Sequence, residues 1–371
     1  MYKSNWGRAL AAIATLATGL LSIGVQALAI TQVSVDKQVF EPARGERARI
    51  RFVLDEPARI ALALYDGRDR LVRVVEGGEV AAGVQQLSWD GLDLHGHPVP
   101  AEAYSYTLSA TNNERSVTHD LTDLTGGARV EVADVRWDTD AGRIRYHLSQ
   151  PARVSIRLGL KAGGPLLRTL LDWAPRPGGA QAESWDGWDE SQVLKIDAHP
   201  RLNLAVTAYA LPQNTLFVGE RPQRVAFADL PAEKRREKNT TGPRTKRMYH
   251  HADQPLERRG DIATHLSLGI DAERDSEGRW RVSGTVPLRL HVAQKDRARL
   301  LAQRFEPVFY VDGIFAFENE VGFLPMTWQW DSRRVSAGEH FVTVNVRGYE
   351  GNFGTATLKL WVERPPAASE P

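Results

Sequence analysis

The chain has 371 residues, 42% of them hydrophobic and 25% charged. That is longer than the ~100–200 residues at which single cores of this kind usually stop growing, so several domains are expected. A formal net charge of +1 excludes a global field that steers the chain to nucleic acid or acidic lipid. With no cysteine, disulfides and a cysteine-linked lipid anchor are excluded as well.

At the N-terminus, Lys3 and Arg8 precede an uncharged stretch, rich in Ala and Leu, from Ala9 to Val35. Ala27-Leu28-Ala29 has the small-x-small form that signal peptidase reads. The expectation is a Sec-type signal peptide at 1–29, cleavage after Ala29 and a periplasmic or extracellular product. The stretch is also long enough to remain as a membrane anchor. Thr15, Thr18, Gly19, Ser22 and Gly24 weaken such a span, and after cleavage no membrane span is expected.

Two stretches of the chain then repeat each other. Arg49-Ile50-Arg51-Phe52-Val53-Leu54 and Pro57-Ala58-Arg59-Ile60 return as Arg143-Ile144-Arg145-Tyr146-His147-Leu148 and Pro151-Ala152-Arg153-Val154. The offset is 94 residues (144 − 50), and Trp89-Asp90-Gly91 returns as Trp185-Asp186-Gly187 at 96 (185 − 89). Within each copy the apolar residues alternate: Ile50, Phe52 and Leu54; Ile60, Leu62 and Leu64; Val154, Ile156 and Leu158. Period-two alternation marks strands with one buried face. Turn residues punctuate them at Glu56-Pro57, Asp66-Gly67, Gly77-Gly78 and Pro177-Gly178-Gly179. Short strands at this spacing predict a β-sandwich of about 100 residues per unit.

The same residues carry a family resemblance. Pro57-Ala58-x-Ile60, Leu64-Tyr65-Asp66, Leu71-Val72-Arg73, Trp89-Asp90-Gly91-x-Asp93, Gly96, Val99-Pro100 and Tyr104-Ser105-Tyr106 resemble the FlgD-type Ig-like repeat. That family is named for the flagellar hook-capping protein and also occurs in secreted bacterial proteins. The resemblance covers roughly 33–112 and, more loosely, 128–212. It implies β-sandwiches used as scaffold or spacer. Glu102 departs from the family's usual Gly before the last strand. The second copy has Asp189-Glu190-Ser191-Gln192 where the first has an Asp-x-x-Gly turn, so its hairpin is expected to differ. Hook-capping proteins need no Sec-type signal, so the leader argues against a hook role.

Residues 229–262 change character. Lys234, Arg235, Arg236, Lys238, Arg244, Lys246 and Arg247 crowd together around Thr240-Thr241-Gly242-Pro243. This reads as an exposed basic linker, either a plain tether or a patch for an acidic partner. Strand rhythm returns over 263–363, from Trp280 to Leu290, at Pro307–Gly313, Trp328–Asp331, Phe341–Val346 and Thr355–Val362. The Val311-Asp312-Gly313 sequence predicts a hairpin turn. Gln294–Gln303 is either one short helix or a loop. The order of these short motifs resembles bacterial Ig-like adhesion modules. The fold class expected is therefore all-β: immunoglobulin-like sandwiches at 30–125, 126–228 and 263–363, with a disordered tail at 364–371.

Several clusters are candidates for chemistry. Met248-Tyr249-His250-His251, Asp253 and His265 could supply metal ligands, with His250 and His251 the weak candidates; yet neighbouring residues of a strand face opposite ways. His95-x-His97 has a better spacing but sits in a turn. Asp138-Thr139-Asp140-Ala141-Gly142 opens like a calcium loop, but Ser149 stands where such a loop ends in Glu. The repeated Trp89-Asp90-Gly91 and Trp185-Asp186-Gly187 read as structural, the indole filling the core and the carboxylate accepting turn amides. No cysteine nucleophile, G-x-S-x-G, H-E-x-x-H or phosphate loop occurs, and no cofactor is expected.

In the third unit, Phe315, Phe317, Phe323, Leu324 and Met326 lie in a segment broken by Gly and Pro, where strict alternation cannot bury them all. They are the expected partner-binding residues. The leading reading is an exported, non-enzymatic scaffold whose third unit engages an envelope or extracellular protein. Two alternatives stay open. One is a carbohydrate-binding or adhesion module, for which Trp188, Trp328 and Trp330 must lie flat on the surface. The other is a metal-handling accessory protein.

Overall fold

The computed structural model describes residues 28–67, 69–113, 115–121, 127–219 and 260–364. The basic segment, His250 and His251, most of the leader and the C-terminal tail lie outside the described residues.

The described chain is nearly all strand. First come β1 (Ile30–Val35), β2 (Val39–Phe40), β3 (Ala48–Leu54), β4 (Ala58–Tyr65), β5 (Leu71–Val80), β6 (Gly83–Trp89), β7 (Ala103–Thr111) and β8 (Ser116–His119). Then follow β9 (Arg129–Val130), β10 (Val132–Asp138), β11 (Arg143–Leu148), β12 (Ala152–Leu160), β13 (Leu166–Arg176), β14 (Gly179–Ser184), β15 (Leu202–Ala210) and β16 (Thr215–Val218). The last stretch holds β17 (Thr264–Leu268), β18 (Trp280–Val282), β19 (Thr285–Val292), helix α1 (Gln294–Leu301), β20 (Phe305–Val311), β21 (Ile314–Glu318), β22 (Met326–Asp331), β23 (Gly338–Gly348) and β24 (Phe353–Val362). The Gln294–Gln303 stretch, open between helix and loop on sequence, is thus mostly helix.

These strands form sheets that face each other around separate apolar clusters. In the first sandwich, β1-β3-β6 faces β2-β16-β7-β4-β5, with β8 beside β7. In the second, β10-β11-β14 faces β13-β12-β15-β9. In the third, β17-β19-β22 faces β18-β24-β23-β20-β21. The alternation read from sequence holds where it was clearest: Ile50, Phe52, Leu54, Ile60, Leu62 and Leu64 are buried together with Trp89 in the first cluster. Val154, Ile156, Leu158 and Trp185 are buried in the second.

The duplication survives in fine detail. Strand β3 lies between β1 and β6 as β11 lies between β10 and β14. Both outer strands break register, with Gln32 at φ 51° and Asp134 at φ 54°. A bulge thus stands at the same place in both copies.

One strand departs from the expected partition. The boundary at 228 puts Thr215–Val218 in the second unit, but β16 lies in the first sandwich. It runs antiparallel to β7, pairing Leu216 with Tyr104, and parallel to β2, pairing Phe217 with Val39. Leu216 and Val218 join the first apolar cluster, while Phe217 meets Ala103 and Leu211 on the other face. The physical reason is that β7 otherwise exposes a backbone edge. In the second sandwich β9 pairs with Ala208 and Tyr209 of β15, the place that β8 takes beside β7 in the first.

Outward positions of several strands are also buried, against simple alternation. Arg153 and Ser155 on β12 are buried, as are Ser105 and Thr107 on β7 and Thr343 and Asn345 on β23. Neighbouring sandwiches contribute to this cover. Arg153 lies beside Glu102, Asp66 and Asp69 of the first sandwich; burial lowers its guanidinium to about 10, against the opposing effect of those carboxylates. Gly67 leaves the space its Nη2 uses, 2.7 Å from where a Cβ would stand.

Candidate interaction surface

The β20–β21 hairpin turns at Asp312 and Gly313, both with positive φ (51° and 73°), as the Asp-Gly pair predicts. The turn is pinned. Asp312 Oδ1 accepts the Phe341 amide at 2.9 Å, and Oδ2 lies 2.7 Å from Nδ1 of the buried His340. Arg201 of the second sandwich donates to the Gly313 carbonyl at 3.2 Å.

A register shift between Phe309 and Tyr310 sets Phe309 opposite Phe317, and Tyr310 opposite Phe315. The shift separates the fates of the aromatics. Phe317 is half-buried and stacks on Trp328 at 5.6 Å with 7° between planes. Phe315 meets Tyr310 edge-on and stays 53% exposed, beside Ile314 at 66%.

The loop after β21 is held close to β20. Asn319 donates its amide to the Pro307 carbonyl at 3.0 Å, and Gly322 to that of Phe305 at 2.7 Å. A Cβ on Gly322 would stand 2.4 Å from the Phe305 ring, so only glycine permits this approach. The neighbours Val321 and Phe323 consequently turn outward, 64% and 53% exposed. Leu324 is half-buried. Met326 is a correction: it is buried in the third core, because it begins β22 on the inward face opposite Leu290. The exposed set is therefore Ile314, Phe315, Val321 and Phe323. Sequence reasoning placed Val321 in this broken segment without choosing it, and missed Ile314, which sits beside the turn before the register shift.

Flat, exposed tryptophans, which the glycan alternative needs, are not found at the three named positions. Trp330 is buried, and Trp188 and Trp328 are half-buried.

The Trp-Asp-Gly positions hold the same geometry twice. Trp89 Nε1 donates to the Leu92 carbonyl at 2.9 Å, and Asp90 accepts the Leu92 amide. Trp185 Nε1 donates to the Trp188 carbonyl at 3.0 Å, and Asp186 accepts the Trp188 amide. Gly91 and Gly187 have φ of 75° and 83°. The following turn differs as expected, yet only slightly. Asp93 accepts the amides two and four residues on, of His95 and His97; Asp189 accepts those four and five residues on, of Val193 and Leu194. Gln192 adopts φ 57° in the role of Gly96.

A second feature lies where the second and third sandwiches meet. Leu166 exchanges both backbone groups with Asn345, its amide to Oδ1 at 2.8 Å and its carbonyl from Nδ2 at 2.7 Å. Thr355 adds a bond to the same carbonyl, and Ser191 accepts the Thr357 amide. Arg157 pairs with Asp261 at 3.1 Å and covers the Phe353 ring. Beside this contact is a cleft of about 630 Å³, lined among others by Asp172, Glu190, Asp261, His265, Lys295 and Asp296. Desolvation, then the charge of Asp261, pushes the Asp172 carboxyl up to about 6, although the residue as a whole is exposed at the cleft. Desolvation raises Glu190 too. Among the described residues no three His, Cys, Asp or Glu side chains converge as a metal site. His95 and His97 have ring centres 6.3 Å apart on an exposed turn. The Asp138 loop is closed by its own bonds to Ala141 and Arg145. Among the described residues no helix is long and apolar enough to cross a membrane.

Residues 38–114 match the family model described as FlgD Ig-like domain. This match lies within the first sandwich. Over 97 residues the chain is 32% identical to the basal-body rod modification protein FlgD of Salmonella typhimurium (strain LT2), which covers 26% of this chain and 41% of that protein. The FlgD protein of Salmonella typhi matches to the same extent. The chain thus spans about two fifths of the length of the curated relatives it matches. Among solved structures, FlgD from P. aeruginosa matches at 18% identity over 33% of this chain and 85% of that one, with a TM-score of 0.22. A tetra-tandem repeat from the extending region of a large adhesion protein matches at 15% identity over 91% of this chain and 74% of that one, with a TM-score of 0.20. The FlgD Ig-like match ends at residue 114, a hundred residues before the strand that completes the same sandwich (215 − 114 = 101).

Proposed function

We propose that this protein is a non-enzymatic arm of the bacterial envelope, exported by its leader, that presents the third sandwich to a partner protein. The observation that carries the reading is the exposure of Ile314 and Phe315 at the turn and of Val321 and Phe323 in the loop, on a segment whose turn and loop are both pinned. Apolar side chains exposed along a held segment are the usual anchor of a protein contact. The FlgD Ig-like domain and the sandwich behind it supply the support. Residue contacts run from the first sandwich through Arg153 and β16, and from the second through Leu166 and Asn345. In this reading these contacts let the arm act as one unit.

Export rests on Lys3, Arg8, the apolar stretch and Ala27-Leu28-Ala29. Leu28 reaches the first core, and the Ala29 amide bonds Asp55 at 2.7 Å. Cleavage after Ala29 removes both contacts, so the mass of the mature N-terminus is worth measuring directly. The docking reading is tested by converting Phe315 and Phe323 to Ser, which leaves the core untouched. Co-purification of the envelope partner should fall at least tenfold, with unchanged folding; retention of the partner by this variant sinks the reading.

A further inference from the structure

Strand β21 closes one side of its five-stranded sheet. It pairs with β20 on its inner side, and among the described residues no strand pairs with its outer side. An open edge of this kind offers a row of backbone donors and acceptors to another extended chain.

The chemistry along the edge is of two sorts. Ile314, Phe315, Val321 and Phe323 are apolar and exposed. Glu318 and Glu320 are exposed between them. The Glu318 charge is near enough to Tyr310 to raise that phenol, after the larger effect of burial. Arg304 approaches Glu320 through the backbone carbonyl, at 3.5 Å, and not through its carboxylate. Like charges placed opposite each other across strands repel, and opposite charges attract. The edge therefore disfavours an acidic strand and favours a basic one. It is also presented in one pose, since Asp312 and Arg201 hold the turn at its start and Asn319 and Gly322 hold the loop at its end. A pre-set edge spares a binding partner part of the ordering cost.

Resting on the reading that this segment is a docking surface, we propose that β21 takes up an extended segment of another protein as an added strand, and that this segment alternates apolar residues with Lys or Arg. On the added strand the apolar side chains fall on the face shared by Ile314 and Phe317, and the cations on the opposite face shared by Phe315 and Glu318.

The test uses the purified full chain and three capped nonapeptides as probes. One alternates Val and Lys, one alternates Val and Glu, and one is the Val-Lys peptide with proline at its centre, which cannot complete a strand. Fluorescence anisotropy at physiological salt should show the Val-Lys peptide binding roughly tenfold more tightly than either control. The double variant Glu318→Lys, Glu320→Lys should invert the preference between Lys and Glu peptides. Amides at 314–318 should exchange more slowly in the complex. Equal binding of the proline-containing peptide, a preference unmoved by the double variant, or no added protection overturns strand addition. If envelope capture still depends on Phe315 and Phe323 while the peptides show no such pattern, the docking surface stands and only its mode is wrong. If capture ignores Phe315 and Phe323, the docking surface itself fails.

Discussion

The amide of Phe217 donates to the carbonyl of Gln38 at 2.7 Å, tying the end of the second unit to the start of the first. Phe217 is 2% exposed, so it seals this junction as well as bonding across it. Truncating such a side chain costs about 3–5 kcal/mol when its surroundings cannot collapse. Phe217→Ala should lower stability in denaturant by about that much and speed amide exchange at Ala103–Ser105. An unchanged midpoint shows that the first sandwich closes without β16.

The buried carboxylates of the repeated turn give a second prediction. Asp93 and Asp189 are each almost fully buried and each accept two backbone amides. Alanine at either position leaves those donors unpaired, at about 1–3 kcal/mol per buried group. Gln192 is the converse case. It holds a left-handed conformation that costs a side-chain residue roughly 1 kcal/mol. Gln192→Gly should be neutral or stabilising, and calorimetry of the three variants checks the order.

At the junction of the second and third sandwiches, Asn345 satisfies both backbone groups of Leu166. Asn345→Ala should leave each sandwich folded yet widen the distance distribution between spin labels placed on the two. A distribution as narrow as the parent's means that other contacts set the joint.

The junction should also respond to pH. Asp172 is raised to about 6 when the sandwiches are docked, against an ordinary value of 3.8. The docked form thus holds the proton more tightly. Docking is favoured fully below the ordinary value and weakens as pH rises through about 6. The groups facing Asp172 are Asp261, Arg157 and Arg299, and Asp261→Asn should bring its titration down. Carboxyl NMR titration from about pH 3 to 8 reads this directly. A midpoint near 4 in the parent contradicts it.

Much of the architecture was legible because strands with one buried face write themselves as alternation. Arg49 to Leu54 and Arg143 to Leu148 show this, and Trp-Asp-Gly marks the same corner twice. What sequence could not show was which sandwich a short strand joins. Thr215–Val218 is apolar and four residues long, and only the open edge of β7 decides its place. Nor could it show that Thr343 and Asn345, polar and outward by parity, are covered by another domain. At the interaction surface, Phe315 and Phe323 were legible as aromatics in a broken segment. Met326 was misplaced because strand β22 starts there, two residues sooner than Trp328 implied.

The most direct measurement is photo-crosslinking in the intact envelope, with a reactive side chain placed in turn at Phe315, Phe323, Val84 and Val135. All four positions are exposed, the last two on the first and second sandwiches. Adducts to one discrete protein at Phe315 and Phe323, and none at Val84 or Val135, are the outcome expected here. Adducts at Val84 or Val135 with silence at the third sandwich would place the binding face elsewhere.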